Sequence, residues 1–285
     1  MKPVVVRRAT HGFMAQYDLR CKESRVWTGH GDLEDYRTYG FEEKVLIYRN
    51  VQPHGNIEEI FSDVFMVTGT NVTVFDGVRY QFSRNMVVVR EAGRLCLVNT
   101  VRLDESRLKT LEALGKVTDI LRIGAYHGYD DAYYLDRYQA RLWEPEGMPA
   151  ENNRCPDHFI SEGCALPQSD MAPFLFTCSR LPEAVIYLNR SGGILISCDS
   201  IHNWVSSDQY FSPESARSME AIGYMGEANL GTGWKQTCTD LKDDLHRLRK
   251  LSYRHLLSAH GVPLLNQAFE KLGATFDREL ISQGN

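Results

Sequence analysis

Three stretches of the chain set carboxylates and imidazoles where a strand would run out. "ILRIGAYHGYDD" carries His127 and Asp131, "GGILISCDSIHN" carries Asp199 and His202, and "LLSAHGVP" carries His260. Open sheets commonly build their sites from residues at strand ends. Nitrogen and carboxylate donors presented by loops suit one divalent metal, zinc first and iron or manganese as alternatives, held at about 2 Å by a rigid scaffold. The chemistry such an ion serves is hydrolysis. Taken singly, each residue has a structural role instead: Asp131 as a helix cap, Asp199 as a turn former, His260 as a satisfied histidine before the last helix. Only the set points to a reaction.

The elements that must position these residues follow from the apolar pattern. From Val64 it predicts a run of short strands, "VFMVTG", "VTVFDG", "VRYQFS", "NMVVVREAG" and "RLCLVNTV", bounded by Gly, Asn or Ser. Leu108, Leu111 and Leu114 then repeat at helical spacing, with Asp104 to cap the start and Gly115 to stop the helix in the left-handed conformation. "VTDILRIG" returns to strand, "YDDAYYLDRYQ" predicts a short helix and "ARLWEP" a strand ended by proline. "AVIYLNRSGGILISCDSI" predicts two strands around a Ser-Gly-Gly turn. Leu241, Leu245, Leu248 and Leu251 share one helical face, followed by the strand-like "HLLSAHG" and an amphipathic helix in "PLLNQAFEKLG". Strands that give way to alternating strands and helices place the chain in the α/β (α+β) class. Residues 1–63 fit no clear pattern and are read as an N-terminal extension of irregular strands packing on a main domain of residues 64–285.

Composition narrows the function classes. The chain has 285 residues, of which 43% are hydrophobic and 24% charged, with a net charge of -5. That is enough for one large core or two modest ones. No basic run is interleaved with aromatics, so nucleic acid is not an expected partner. Near the start only Val4, Val5 and Val6 precede two arginines, too short an apolar run for a secretory signal, and no segment approaches the roughly 20 apolar residues that span a bilayer. No membrane partner is expected. Seven cysteines without a C-x-x-C pair argue against a disulfide framework and a zinc knuckle, which makes the cytoplasm the expected compartment.

The set of residues, in this order and at these intervals, resembles the metallo-β-lactamase superfamily over about residues 64–272. The resemblance implies a four-layer αββα sandwich. "RLCLVNT" looks like the family's second strand, with Asn99 at its customary aspartate. "AYHGYDDA" falls where the family's H-x-H-x-D-H motif belongs: His127 matches the first histidine and Asp131 the aspartate, while Tyr129 and Ala132 replace the other two histidines. Arg180 stands where a further histidine is usual, Asp199 matches the bridging aspartate and His260 the last histidine. Of the two metal sites this family builds, the first keeps His127 and Asp199. The second keeps Asp131, Asp199 and His260, three ligands with one open position, the pattern of a catalytic mononuclear site. The resemblance therefore implies one metal, with His127 or His202 to complete its shell.

By the same resemblance, Asp131 and the adjacent Asp130 become the catalytic carboxylates, Asp130 orienting the attacking water unless it merely starts a helix. Arg180, Tyr129 and His202 become substrate-binding residues, Arg180 either repelling an ion at the vacated position or replacing it by pairing with Asp199 or with an anionic substrate. The function implied is a metal-dependent hydrolase of an ester, thioester, lactone or phosphoester, with a small molecule as partner. The alternative is a catalytically inactive relative that binds a small molecule or a protein in a cleft lined by Tyr126, Tyr129, Tyr133, Tyr134 and Arg180, although Tyr133, Tyr134 and Tyr138 also suit packing of a short helix on the sheet. Cysteine chemistry by Cys198 or Cys178 is the weakest reading, because neighbours in a strand point to opposite faces and Cys198 would face away from Asp199.

Overall fold

The computed structural model describes residues 48–283 apart from 76, 150, 152 and 153, and ahead of them only the strand segments β1 (Val5–Ala9), β2 (Gln16–Tyr17), β3 (Ser24–Arg25) and β4 (Phe41–Val45). Most of the N-terminal extension therefore lies outside the described residues. From β5 (Glu58–Phe61) the chain runs through β6 (Val64–Phe75), β7 (Val78–Glu91), β8 (Arg94–Val98), α1 (Glu105–Leu114), β9 (Lys116–Leu121), α2 (Asp131–Tyr138), β10 (Arg141–Pro145) and β11 (His158–Ile160). These strands form one seven-stranded sheet in the order β11-β10-β9-β8-β7-β6-β5, antiparallel from β5 to β8 and parallel from β8 to β11.

A second sheet follows. β12 (Met171–Leu175), β13 (Ala184–Leu188) and β14 (Ile194–Ser197) are antiparallel neighbours, and β17 (His255–Ser258) lies parallel to β14 at the edge. Between them in sequence come the small antiparallel pair β15 (Ile201–Trp204) and β16 (Gly226–Leu230) and the helices α3 (Pro213–Ala221), α4 (Thr232–Lys235) and α5 (Lys242–Leu248); α6 (Ala268–Gln283) closes the chain.

Alternation along the strands sorts the core into three layers of apolar side chains. Val87, Val89, Cys96 and Val98 face inward against Ile186, Ile194, Ile196 and Leu257 of the second sheet. Their neighbours Met86, Val88, Leu95 and Leu97 face outward and are covered by Leu108 and Leu111 of α1 and by Tyr133 and Tyr134 of α2. On the far side Val185, Leu195 and Leu256 pack under Leu245 of α5 and Leu272 and Phe276 of α6. With both faces covered, strands read as unbroken apolar runs, which is why "VVV" and "ILI" occur here. The layers are helix, sheet, sheet, helix, as the resemblance implied.

Three local expectations change. The four short strands expected between Val64 and Gly93 are two long ones, β6 and β7, paired from Val64–Val89 to Phe75–Val78 with Gly69 opposite Arg84 and Thr68 opposite Asn85. The residues read as turn formers are used within the ladder: Thr68 Oγ1 donates to Asn85 Oδ1 at 2.8 Å, and a Cβ on Gly69 would come within 2.5 Å of Val101. Gly115 does not stop α1 in the left-handed region, since its φ is 159° and ψ -172°; glycine is needed because a Cβ would lie 2.4 Å from the Gly93 carbonyl oxygen. Asp104 does cap α1, accepting from the Arg107 amide at 2.8 Å. The last helix begins at Ala268, because Leu264 is held extended by exchanging both backbone hydrogen bonds with Leu256.

Candidate metal centre

The loop after β9 is moulded around a buried cation. Arg122, 2% exposed, donates to the carbonyls of Ala125 (3.0 Å), His127 (2.7 Å) and Pro149 (2.7 Å). Gly128, at φ 104°, lets the backbone pass over it, where a Cβ would meet the arginine Cδ at 2.7 Å. Gly124 presses on the second sheet, its missing Cβ 2.3 Å from Cys198 Sγ. The result is that His127 hangs over the end of β14, where Cys198 and Asp199 form a bend beyond the last strand residue, Ser197. Asp199 is seated by Gly231, where a Cβ would stand 1.9 Å from the Asp199 carbonyl oxygen.

His260 arrives from the end of β17 and is tied to β7. Asn85 Nδ2 donates to the carbonyls of Ser258 at 2.9 Å and Gly261 at 2.7 Å, and the Asn85 amide donates to Ala259 O at 2.7 Å. Trp204, 2% exposed, stacks on the His260 ring with centroids 4.7 Å apart and planes at 16°. His260 Nδ1 lies 3.2 Å from the Ser83 carbonyl oxygen. A carbonyl can only accept, so Nδ1 carries the proton and, in the neutral ring, Nε2 presents a lone pair.

That lone pair faces two other donors. His260 Nε2 is 3.2 Å from Asp199 Oδ1 and 3.3 Å from His127 Nε2, and His127 Nε2 is 3.6 Å from Asp199 Oδ2. Donors around a tetrahedral ion with bonds near 2.0–2.1 Å stand about 3.4 Å apart, and the three separations, taken to one or the other Asp199 oxygen, bracket that value. His260 also has the outer hydrogen bond that fixes the tautomer of a ligating imidazole. The His127, Asp199 and His260 side chains therefore fit a divalent ion. Cys198 adds a third donor type: one ligand atom each from His127, Cys198 and Asp199 lie within 4.8 Å of one another.

Charge in the cluster is unevenly distributed. Burial acts to raise the Asp199 carboxyl, but the His127 and His260 rings outweigh it and hold it well below the usual carboxylate range. Burial pushes His127 down, against the pull of Asp199. Burial and then the Asp199 charge push the Cys198 thiol well up, and the same two causes keep the carboxyl of Glu183 protonated far above its ordinary value. Glu183 accepts from the Ser200 amide at 2.6 Å. An ionised aspartate thus stands beside a neutral thiol and a neutral acid.

The other residues singled out from sequence are not among these three contacts, although His202 lies close enough to His260 and Asp199 to feel their charges. Asp131 begins α2, where its Oδ1 accepts from Thr100 Oγ1 at 2.5 Å and its Oδ2 is buried without a partner among the described residues. Burial lifts it to about 6, against Thr100 and Arg122. It caps nothing, and the three close contacts of the cluster do not include it. Asp130 pairs with Arg84 and accepts from the Arg102 amide at 2.7 Å, so both its partners are already protein groups. Arg180 is exposed and donates to Gln236 O at 3.4 Å, whereas Asp199 is engaged by the two histidines. Tyr129 is half-buried under the Arg49 guanidinium, 3.8 Å from the ring centre. His202 is 1% exposed with neither ring nitrogen bonded among the described residues, and burial pushes it down to about 3.

Of the tyrosines, Tyr133 and Tyr134 pack in the core, Tyr134 donating to Val101 O at 2.6 Å, while Tyr126 is 45% exposed. Cys198 is the residue the strand argument misplaced: β14 ends before it, alternation stops, and its Sγ sits 3.4 Å from Asp199 Oδ2. Asn85, Trp204, Glu183 and Arg122 were missed altogether. Only the aromatic in "IHNW", two residues beyond His202, gave any signal in sequence.

No family model matches the sequence, and no curated protein does either. Solved structures match in fold. The FIM-1 metallo-β-lactamase from Pseudomonas aeruginosa, in its mono-zinc form, superposes with a TM-score of 0.56 at 14% identity, over 81% of this chain and 98% of that one. The DIM-1 metallo-β-lactamase exposed to ceftazidime gives 0.53 at 16% identity, over 81% and 100%. A metallo-β-lactamase from Hirschia baltica gives 0.52 at 13% identity, over 78% and 98%. No helix among the described residues is long and apolar enough to cross a membrane. The paired sheets with helices outside them, and the cluster at their strand ends, agree with these likenesses: the chain has the metallo-β-lactamase fold.

Proposed function

We propose that the chain is a metal-dependent hydrolase with a single ion held by His127, Asp199 and His260, acting on an ester, thioester, lactone or phosphoester. The observation that carries this reading is the orientation of His260, whose Nδ1 is committed to Ser83 O and whose Nε2 faces Asp199 and His127 at ligand spacing. Zinc is the first choice for such a nitrogen and carboxylate set, with iron or manganese as alternatives. Bound there, the ion supplies Lewis acidity toward an acyl or phosphoryl oxygen.

The side chains around it do the rest. Trp204 and Phe82 wall the His260 ring from solvent. Asp199 keeps 19% of its side chain exposed, so the cluster is reached from its side. Tyr126 and Tyr224, both raised first by burial and then by the Asp199 charge, remain protonated phenols that offer a donor to a substrate there. Asp131 is reassigned from ligand to a buried support of the loop. The second reading, a non-catalytic binding protein, is favoured by one observation: without Asp131 the donor set is smaller than the resemblance implied.

Hydrolysis of a panel of nitrophenyl esters, thioesters and lactones tests the proposal. Activity should disappear with a chelator and return with zinc. Turnover that survives both chelation and Asp199→Ala would contradict it.

A further inference from the structure

On the opposite side of the Tyr129–Asp131 turn, a cavity of about 210 Å³ is lined by Arg49, Thr70, Asn71, Arg84, Arg102 and Asp130 among others. Three guanidinium groups face one carboxylate. Arg84 is 5% exposed; it gives one nitrogen to Asp130, while its Nε and its other terminal nitrogen are buried without a partner among the described residues. Arg102 has the same two nitrogens buried and unpartnered, its guanidinium lying 3.2 Å over the ring of Tyr133. The Asn71 amide oxygen is a further buried polar atom with nothing bound to it there.

A buried guanidinium left with dry N–H groups is costly, since such groups are stable in the interior only when paired and hydrogen-bonded. Asp130 serves Arg84 and the Arg102 amide through one oxygen, Oδ2, and the Nε and second terminal nitrogen of each guanidinium remain without a partner among the described residues. The two aromatic faces fix Arg49 and Arg102 in place before any ligand arrives. Planar forks held rigidly around a small polar cavity match the oxygens of a phosphoryl group, and a protonated phosphate oxygen would also donate to Asn71.

We propose that this cavity binds a phosphoryl group, as free phosphate or as the phosphate of an ester. The cavity is lined by none of His127, Asp199 and His260, although the Arg84 charge reaches His127. Its test uses the full chain purified without phosphate or sulfate and treated with chelator, titrated calorimetrically with inorganic phosphate and with phenyl phosphate. Saturable binding is expected, weakened about ten-fold or more by Arg102→Gln and by Arg49→Gln, both of which leave the Arg84 to Asp130 pair intact, and unchanged in Asp199→Ala. Tighter binding of phenyl phosphate assigns the cavity to a phosphorylated substrate; equal binding assigns it to free phosphate. Absence of saturable binding, as when a carboxylate of the chain itself fills the cavity, overturns the proposal, and so does equal affinity in both arginine variants when circular dichroism shows them folded.

Discussion

His260 and Ser83 set the character of the cluster between them: the imidazole gives its Nδ1 proton to the Ser83 carbonyl, 3.2 Å away, and turns its Nε2 toward an ionised Asp199. Two acceptors at 3.2 Å repel unless a cation or a proton lies between them. A divalent ion resolves the conflict for His127 at the same time, since its Nε2 stands within 3.6 Å of both partners.

The first consequence concerns Asp131. Its carboxyl has an ordinary value of 3.8 and is raised to about 6 in the fold, chiefly by burial. Folding then favours the protonated form: the contribution is complete below the unfolded value, is lost as pH rises toward 6, and stays lost above it. Two units correspond to roughly 3 kcal/mol as an order of magnitude. Asp131→Asn should therefore flatten the stability profile between pH 4 and 6 and raise the denaturation midpoint at neutral pH, while metal content is unchanged. Loss of metal in this variant would return Asp131 to the ligand set.

Asn85 is a positioning residue for His260, because its side-chain amide holds both carbonyls that flank the histidine loop. Asn85→Ala leaves the Ser258 carbonyl without that donor in a buried place and should cost about 1–3 kcal/mol in urea unfolding. Metal affinity should fall roughly 10–100-fold, the usual effect of removing an outer support of a ligand. Unaltered affinity with lowered stability would make Asn85 purely structural.

Gly231 bears on Asp199 in the same way from the other side. A methyl group there would overlap the Asp199 carbonyl oxygen, at 1.9 Å, and backbone cannot yield as a flexible side chain does. Gly231→Ala is expected to destabilise the protein by about 1–3 kcal/mol and to weaken metal binding, measured by competition with a chromophoric chelator. Wild-type behaviour on both counts would show that the Asp199 bend is free to move.

The layers of the fold were legible because a buried strand writes its burial into every residue: "NMVVV" and "ILIS" leave no polar face to mistake. The lengths of β6 and β7 were not, since Gly69 and Asn85 look like turn formers until the contacts with Val101, Ser258 and Gly261 are known. His127, Asp199 and His260 could be picked out as strand-end residues. Sequence spacing could not say which side of the 122–131 loop a carboxylate takes, because that depends on Arg122 inside the loop and Arg84 across it. Cys198 was misjudged for a similar reason: alternation holds only within a strand, and β14 ends one residue earlier.

The central claim is that His127, Asp199 and His260, rather than Asp131, hold an ion. Metal analysis by plasma mass spectrometry of protein purified without chelator tests it directly. The account predicts about one divalent ion per chain, lost in Asp199→Ala and His260→Ala and retained in Asp131→Asn. A metal-free wild-type chain, or the same metal content in Asp199→Ala, would contradict it.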